Sequence, residues 1–278
     1  MPATLHLTVH LAGGVVCGTA KQTRPAAGPQ AHLEAALLSS ARLMVGSLAG
    51  GERGRMATTS ERRGAKDALF DGFATIAGAL SSGRRAEIVE VLSQGERSVE
   101  QVADAIEQSL ANTSHHLRAL ARAGLVVTRR EGTRIFYRLA SERVVELWLA
   151  LRDLAAEQLE DLDRLATDYL GDRDQLERIG RDELLQRLDS GEVVVIDVRP
   201  EVEYAAGHLP GAISVPPDQL ERYLDQLPED RDIVAYCRGP YCVYADDAIR
   251  ALQARGRGAK RLVEGLPEWR RAGGPVET

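Results

Sequence analysis

The pattern of apolar residues changes type once along the 278-residue chain, between residues 171 and 177. Before this point apolar residues recur at spacings of three and four, which is typical of amphipathic helices. After it, the uninterrupted runs Val193–Ile196 and Ile233–Tyr236 have the pattern of strands buried on both faces, and helical segments alternate with them. A chain of this length suffices for two domains. We therefore predict a mainly helical domain followed by an α/β domain with a mostly parallel sheet.

Composition narrows the class of protein. Three cysteines cannot build a disulfide framework, and no apolar run of 18 residues could cross a membrane, so we expect a cytoplasmic protein without membrane contact. The net charge of −6 is unevenly distributed, because residues 141–278 hold eighteen basic and twenty-nine acidic residues whereas residues 1–140 hold seventeen and twelve. Any nucleic-acid contact is therefore expected in the first half of the chain.

The N-terminal segment lacks a periodic pattern. Residues 1–65 begin with a stretch rich in Ala, Gly and Ser, interrupted by Gly13–Gly14, Pro25 and Pro29, and we predict a disordered extension. It has no basic region of the kind that opens a signal peptide. Met56 is followed by a polar stretch typical of a protein N-terminus, which suggests the hypothesis that residues 1–55 come from an upstream start.

Residues 66–140 predict four short helices followed by a β-hairpin. Two apolar-periodic segments end near Ser81 and Gly95, and a third helix begins at Ser98 with Gln101 in the capping-box position. Ser109 caps the fourth helix, which runs to Ala123 and is closed by Gly124. Two β-rich runs around Gly132 then form the hairpin. This order of elements predicts a winged helix-turn-helix.

The same residues resemble the ArsR-type transcriptional regulators. The resemblance rests on Ser114–Leu120, Ala123–Val126, Arg129–Arg134 and Tyr137–Leu139. It implies that the fourth helix enters the major groove of an operator in double-stranded DNA and that the wing contacts the backbone. The DNA-binding residues that follow are Asn112, Thr113, His115 and Arg118 on the helix and Arg129, Arg130 and Arg134 on the wing.

The chain departs from many ArsR-type sensors at their metal site. Where these carry a Cys-x-Cys pair before the recognition helix, the segment Ser98–Ile106 contains no cysteine. His115 and His116 are adjacent in sequence, so on a helix they point about 100° apart and cannot share one zinc ion. We therefore expect no metal and no other cofactor.

Residues 141–175 predict one long amphipathic helix to residue 170, followed by a polar joint from Gly171. Its apolar stripe includes Trp148, Leu151, Leu159 and Tyr169. The stripe is longer than one small domain can cover, so it predicts a dimer interface, as the ArsR resemblance also implies; an intradomain core helix is the alternative. A homodimer would present two recognition helices to a palindromic operator.

Residues 176–278 place polar side chains at the carboxyl ends of two predicted strands. Asp197 and Arg199 follow the first strand, and Cys237 ends the second. The carboxyl ends of parallel strands are where such sheets form their sites. After Cys237, the loop Arg238–Gly239–Pro240–Tyr241–Cys242 leads into a helix, so loop amides and the helix dipole can stabilise a thiolate or the outer sulfur of a persulfide.

This second half resembles a rhodanese domain. The resemblance rests on Asp197–Pro200, Gly207–Ala212, the Cys237 loop and Gly265–Trp269, in the order of that family. It implies that Cys237 attacks a sulfane-sulfur donor, carries the sulfur as a persulfide and passes it to a thiol acceptor. Asp197 and Arg199 would shape the pocket, Arg238 would add positive charge, and His208 and Glu203 would have structural roles.

Cys242 is the departure from that family. Many active rhodaneses have an Arg or Lys at this position, five residues after the cysteine. A thiol there can resolve a persulfide or sulfenate on Cys237 into a disulfide; alternatively, Cys242 is a small buried residue of the helix.

Three functions remain open at this stage. The first is a transcriptional regulator whose rhodanese domain senses or transfers reactive sulfur through Cys237. The second is a sulfurtransferase whose helix-turn-helix part serves dimerisation or localisation, and the third is an inactive rhodanese that acts as a binding module. The sequence alone leaves open whether the protein is an enzyme.

Overall fold

The computed structural model describes residues 58–278, so most of the segment predicted to be disordered lies outside the described residues. Where the two overlap the prediction is wrong, because helix α1 (Thr59–Ala79) begins within that segment. The Thr58 backbone NH donates to Glu61 Oε2 at 2.6 Å, and the Glu61 NH donates to Thr58 Oγ1 at 3.2 Å. This reciprocal cap satisfies two free donors at the start of the helix.

The first domain is a winged helix-turn-helix, as predicted. After α1 come α2 (Gly83–Ser93), β1 (Arg97–Ser98), α3 (Val99–Ala105), α4 (Leu110–Arg122), β2 (Val126–Glu131) and β3 (Arg134–Leu139). The three strands form an antiparallel sheet in the order β1-β3-β2. Both predicted caps are present: Ser98 forms a capping box with Gln101, and the Ser109 side chain accepts from Asn112 NH at 3.3 Å.

The predicted single helix over residues 141–170 is wrong. Two helices occupy the segment, α5 (Glu142–Gln158) and α6 (Leu162–Leu170), and Leu159 between them is extended with ψ 102°. Glu157, Glu160 and Asp161 would repel one another at the spacings of a continuous helix. Acidic side chains stabilise a helix near its N-terminus and destabilise it near its C-terminus. They therefore favour a break in the helix, with a new helix beginning beside Asp161.

The second domain is an α/β domain with a parallel sheet, as predicted. In chain order the elements are β4 (Arg178–Ile179), α7 (Arg181–Asp189), β5 (Val193–Asp197), α8 (Glu201–Ala206), β6 (Ile213–Ser214), a 3₁₀ turn (Pro217–Gln219), α9 (Leu220–Leu224), β7 (Asp232–Tyr236), α10 (Tyr244–Gln253), β8 (Ala259–Leu262) and α11 (Leu266–Arg271). The five strands are all parallel and lie in the order β4-β8-β7-β5-β6.

Strand β5 shows why the runs of β-branched residues lie at the centre of this sheet. Val194 and Ile196 pack into the core on one face, whereas Val193 and Val195 pack into the core on the other. All five residues of the strand are buried. The central strands therefore hold the residues at their carboxyl ends, Asp197 and Cys237, in fixed positions.

The two domains contact each other through short elements. Gly95, between α2 and β1, lies against α8 with a φ of +146°, and a Cβ at this position would be 2.6 Å from Ala206 Cβ. Glycine is therefore required there both by the backbone conformation and by the close approach.

None of the helices between residues 58 and 278 is long and apolar enough to cross a membrane.

Candidate functional site

Cys237 lies directly after β7, at the carboxyl edge of the parallel sheet. Its side chain is buried, with 3% of its surface exposed. Cys237 and Cys242 form a disulfide across the loop that precedes α10, with their Cα atoms 6.2 Å apart. Within this loop Gly239 is buried, whereas Pro240 and Tyr241 are partly exposed. The two sulfur atoms of the loop can therefore react with each other without unfolding of the domain.

Two arginines bind the carbonyl groups of this loop. Arg261 on β8 donates to the Gly239 and Pro240 oxygens at 3.0 Å, and Arg173 in the joint donates to the Pro240 oxygen at 2.8 Å. Asp246, fully buried on α10, pairs with Arg173 at 2.5 Å and with Arg261 at 3.0 Å. Burial lowers the pKa of Arg261 to about 10. These arginines place positive charge at the loop, although Cys242 occupies the position of the usual family cation.

Arg238, the residue after Cys237, is held by a carboxylate. Its guanidinium donates to Glu203 on α8 at 2.6 and 3.1 Å and lies over the Tyr244 ring, 5.6 Å from its centroid. Burial is the largest single effect on the pKa of Arg238 and lowers it. The neighbouring charges, above all Glu203, together outweigh burial, so the pKa is raised. Glu203 is therefore structural, as the rhodanese resemblance implies, and it fixes the charge nearest in sequence to Cys237.

A cavity of about 360 Å³ opens beside Cys242, and both domains line it. The loop side contributes Arg238, Cys242 and Tyr244, and the winged-helix side contributes Glu87 and Glu90 of α2. Burial raises the pKa of Glu90, while the charges of Arg238 and Arg152 oppose this shift. A small sulfur compound in this cavity would contact the cysteine loop and the winged-helix domain at once.

Asp197 and Arg199 lie outside the lining of this cavity, and the pocket-shaping role predicted for them stays a prediction. Arg199 donates to both Asp197 oxygens at 2.9 and 3.1 Å, and Tyr236 Oη donates to Asp197 at 2.5 Å. The same guanidinium reaches Gln94 of the winged-helix domain at 3.0 Å. Both side chains are fully buried, and each is already hydrogen-bonded. Asp197 holds Arg199 and Tyr236 in place, and Arg199 connects the second domain to the first.

On the predicted recognition helix α4, three of the four side chains predicted to contact DNA face solvent. Asn112, His115 and Arg118 are exposed. Thr113 is completely buried, so the prediction that it contacts DNA is wrong. The reason is helical spacing: Thr113 lies four residues before Leu117 and seven before Leu120, and all three share the face that packs into the core.

The wing arginines differ in their partners. Arg129 on β2 donates to Glu96 at 2.7 Å and to Glu131 at 2.7 Å, and it stacks over the Phe136 ring at 4.7 Å. Its charge is therefore partly neutralised before any phosphate arrives. Arg130 donates to the nearby Gly132 oxygen at 3.0 Å, and Arg134 is exposed at the turn.

Buried ion pairs connect the two domains. Arg97 on β1 lies 3.1 Å from Glu203, with 2% and 1% of the two side chains exposed. Arg152 on α5 lies 2.6 Å from Glu268 on α11. Glu268 also accepts from the Gly265 NH at 2.9 Å, which caps α11. The cysteine loop is thus surrounded by side chains that belong to both domains.

Sequence reasoning missed Arg97, Arg152, Arg173 and Arg261. Each is an arginine in a chain with many arginines, and its partner lies far away in sequence, so no local spacing identifies it. One signal was present: Arg97 immediately precedes the capping box at Ser98, in a two-residue strand whose residues are both buried. An isolated arginine in a strand that must pack against helices requires a buried partner.

A second, wider cavity of about 1,260 Å³ lies away from these residues. It is lined by charged groups at the amino edge of the sheet, including Arg187, Asp232 and Arg257. No group of three or more His, Cys, Asp or Glu side chains suited to a metal occurs among residues 58–278. The cysteine loop therefore remains the candidate site.

A winged helix-turn-helix joined to a rhodanese-type cysteine loop defines the class of protein. Residues 82–128 match the family described as "Bacterial regulatory protein, arsR family", and residues 180–272 match the family described as "Rhodanese-like domain". The chain belongs to the ArsR-type transcriptional regulators that carry a C-terminal rhodanese domain.

Relatives cover both parts of the chain. The HTH-type transcriptional regulator Rv0324 of Mycobacterium tuberculosis is 49% identical over 222 residues, which is 80% of this chain and 96% of that protein. A sulfurtransferase of Allochromatium vinosum is 34% identical over 99 residues, which is 35% of this chain and 92% of that protein. A homodimeric winged helix-turn-helix DNA-binding domain, Mb0332 from Mycobacterium bovis, is 46% identical over 38% of this chain and 94% of that chain, with a TM-score of 0.35.

Proposed function

We propose that this regulator is a cytoplasmic homodimer that binds operator DNA and responds to reactive sulfur through Cys237 and Cys242. The observation that carries the proposal is that Cys242, which is bonded to the buried Cys237, lines a cavity shared with helix α2 of the winged-helix domain. A change at the sulfur atoms there is a change at the domain interface. The coupling needs no long path between sites.

The chemistry follows from two thiols five residues apart. The Cys237 thiolate attacks a sulfane sulfur of a polysulfide, forms a Cys237 persulfide and displaces the shortened polysulfide as a thiolate. The Cys242 thiolate then attacks the Cys237 sulfur and releases hydrosulfide, leaving the disulfide. The two thiols lose two electrons, and the transferred sulfur gains them. Arg173 and Arg261 hold the carbonyl groups of the loop between the two cysteines, and after pairing with Asp246 they leave one net positive charge beside the loop, which favours thiolate formation.

Exposed apolar side chains support a homodimer. Leu69, Phe70 and Phe73 on α1 and Leu151 and Leu154 on α5 are 40–60% exposed. Large apolar side chains clustered on helix surfaces mark protein interfaces. A two-fold dimer would present two copies of α4, with Asn112, His115 and Arg118, to adjacent major grooves.

The test measures operator affinity of the full chain before and after polysulfide. We expect a change of several-fold in the wild type, on the scale of about 1 kcal/mol of coupling. Cys237→Ser should abolish this change and leave affinity under reducing conditions intact, whereas Arg118→Ala, the control for DNA contact, should weaken binding in both states. A Cys237→Ser protein that responds like the wild type would contradict the proposal.

A sulfurtransferase is the second candidate, because the C-terminal domain is 34% identical to the Allochromatium vinosum sulfurtransferase. Sulfur transfer from thiosulfate to cyanide distinguishes the two. Rapid turnover that depends on Cys237, combined with operator affinity that ignores polysulfide, would favour the enzyme.

A further inference from the structure

Glu203 lies between two arginines that belong to different domains. Arg238 of the cysteine loop donates to it at 2.6 Å, and Arg97 of the winged-helix domain lies 3.1 Å from the same Oε1 atom. Of the three side chains Glu203 is 1%, Arg97 2% and Arg238 13% exposed. One carboxylate thus divides its charge between the two guanidinium groups.

The three side chains together carry a net charge of +1, and Glu90 of α2, whose surroundings favour its neutral form, faces Arg238 across the cavity that Cys242 also lines. Arg238 belongs to the cysteine loop and lines the same cavity as Cys242, which is bonded to Cys237, so the charge of the group lies on the side of the loop where the sulfur atoms are. Positive charge near a thiol stabilises its thiolate, and weak solvent screening in a buried site strengthens the effect. Loss of Arg97 would leave Glu203 to neutralise Arg238 alone and bring the net charge to zero.

The same arginine is connected to the wing. Arg97 on β1 pairs in register with Tyr137 on β3, and the preceding residue, Glu96, binds Arg129 on β2. A displacement of Arg97 therefore moves β1, the neighbouring Glu96 and, through Glu96, a wing arginine. The cysteine loop and the wing share this short series of contacts.

We infer that Arg97 is a positioning residue of the cysteine site, contributed by the winged-helix domain: through Glu203 it sets the charge and position of Arg238, and it transmits changes in the loop to the wing. This regulation of the site rests on the proposed function for its effect on DNA. Its effect on Cys237 does not depend on that function.

The first experiment compares Cys237 alkylation by iodoacetamide in the reduced full chain, followed by mass spectrometry across a pH series. The variants change the net charge of the group in a defined way: Arg97→Gln gives 0, Glu203→Gln gives +2, and Arg97→Lys and the double variant Arg97→Gln/Glu203→Gln both keep +1. Below the thiol pKa the alkylation rate follows the thiolate fraction.

We expect Arg97→Gln to react about threefold to tenfold more slowly than wild type and Glu203→Gln faster by a similar factor, with the charge-conserving variants near wild type. A merely structural Arg97 would lower stability without moving this pH profile. Wild-type kinetics in Arg97→Gln, or a double variant as slow as Arg97→Gln, would overturn the inference. If Arg97→Gln fails to fold, as circular dichroism would reveal, Glu203→Gln must still react faster than the double variant.

The second experiment repeats the operator measurement with polysulfide. The double variant keeps a reactive Cys237 but has lost the connection, so we expect polysulfide to modify it without changing its operator affinity. A full response in the double variant would overturn the transmission to the wing. A wild type that itself shows no response would refute the proposed function, while the alkylation series would still decide the role of Arg97.

Discussion

Glu90 on α2 is the carboxyl group whose surroundings favour protonation. Burial against the second domain raises its pKa, and the nearby carboxylates of Glu268 and Glu87 reinforce the shift. Arg238 and Arg152 oppose it. Folding therefore favours the neutral form, and the stability contributed by this site is complete below the ordinary carboxyl pKa and is lost as the pH rises through the folded-state pKa.

Glu90→Gln mimics the protonated carboxyl and is expected to raise the free energy of unfolding at about pH 7.5, with the gain disappearing near pH 4. Urea unfolding at both pH values measures this. Glu87→Gln, on the same helix, is the matched control, because Glu87 is paired with Arg84 at 2.7 Å. A gain from Glu90→Gln that persists at low pH would contradict the electrostatic cause.

Individual site residues were predictable to different degrees. The position of Cys237 was predictable, because the residue that follows a buried parallel strand lies at the carboxyl edge of the sheet. The position of Arg238 in the same loop follows from its place next to Cys237. Thr113 shows the limit of such predictions. It lies in the first turn of the recognition helix, but it shares the buried face of that helix with Leu117 and therefore points into the core. The partners of Arg97 could not be predicted, because they belong to another domain and no local period connects them.

At the scale of elements, an ion pair holds Arg129 of the wing, a residue predicted to contact DNA. Glu96 accepts three hydrogen bonds from Arg129, and the two side chains are 27% and 50% exposed. Exposed pairs of this kind contribute little to stability, about 0–1 kcal/mol. While it is formed, however, the pair neutralises one of the arginines of the wing.

Glu96→Gln should therefore leave the free energy of unfolding nearly unchanged and tighten operator binding, because Arg129 gains freedom to meet a phosphate. The slope of affinity against salt concentration should steepen by about one unit. Titrations at several salt concentrations measure both effects. Glu100→Gln is the control, since that carboxylate is bonded to Ser98 at 2.7 Å and not to an arginine. An unchanged slope in Glu96→Gln would mean that Arg129 does not reach DNA.

Most elements followed from periodicity, and the failures have physical causes. The break at Leu159 was missed because the apolar stripe continues through it, while the cause lies in the acidic residues on the other faces. Strand β8 was missed because Ala259–Leu262 contains Lys260 and Arg261 where a buried strand normally has β-branched residues. Arg261 is tolerated there because Asp246 neutralises it.

For the whole molecule, the buried ion pairs imply that the two domains unfold together. Arg152 and Glu268 are 10% and 9% exposed, and breaking such a pair leaves an uncompensated buried charge. We expect one calorimetric transition for the wild type, and a loss of about 3–5 kcal/mol in Arg152→Ala. Arg271→Ala, which removes a more exposed partner of Asp153, should cost far less. Two separate transitions in the wild type would contradict this cooperativity.

The polar character of the interface also matters while the chain is being synthesised. Gln94, Arg97 and Arg152 leave the ribosome before their partners Arg199, Glu203 and Glu268 exist. During that interval their side of the interface is hydrophilic and binds water instead of other nascent chains. This surface of the first domain therefore stays hydrated until the second domain folds. The side chains of the second domain then replace the bound water and neutralise the charges of the first domain.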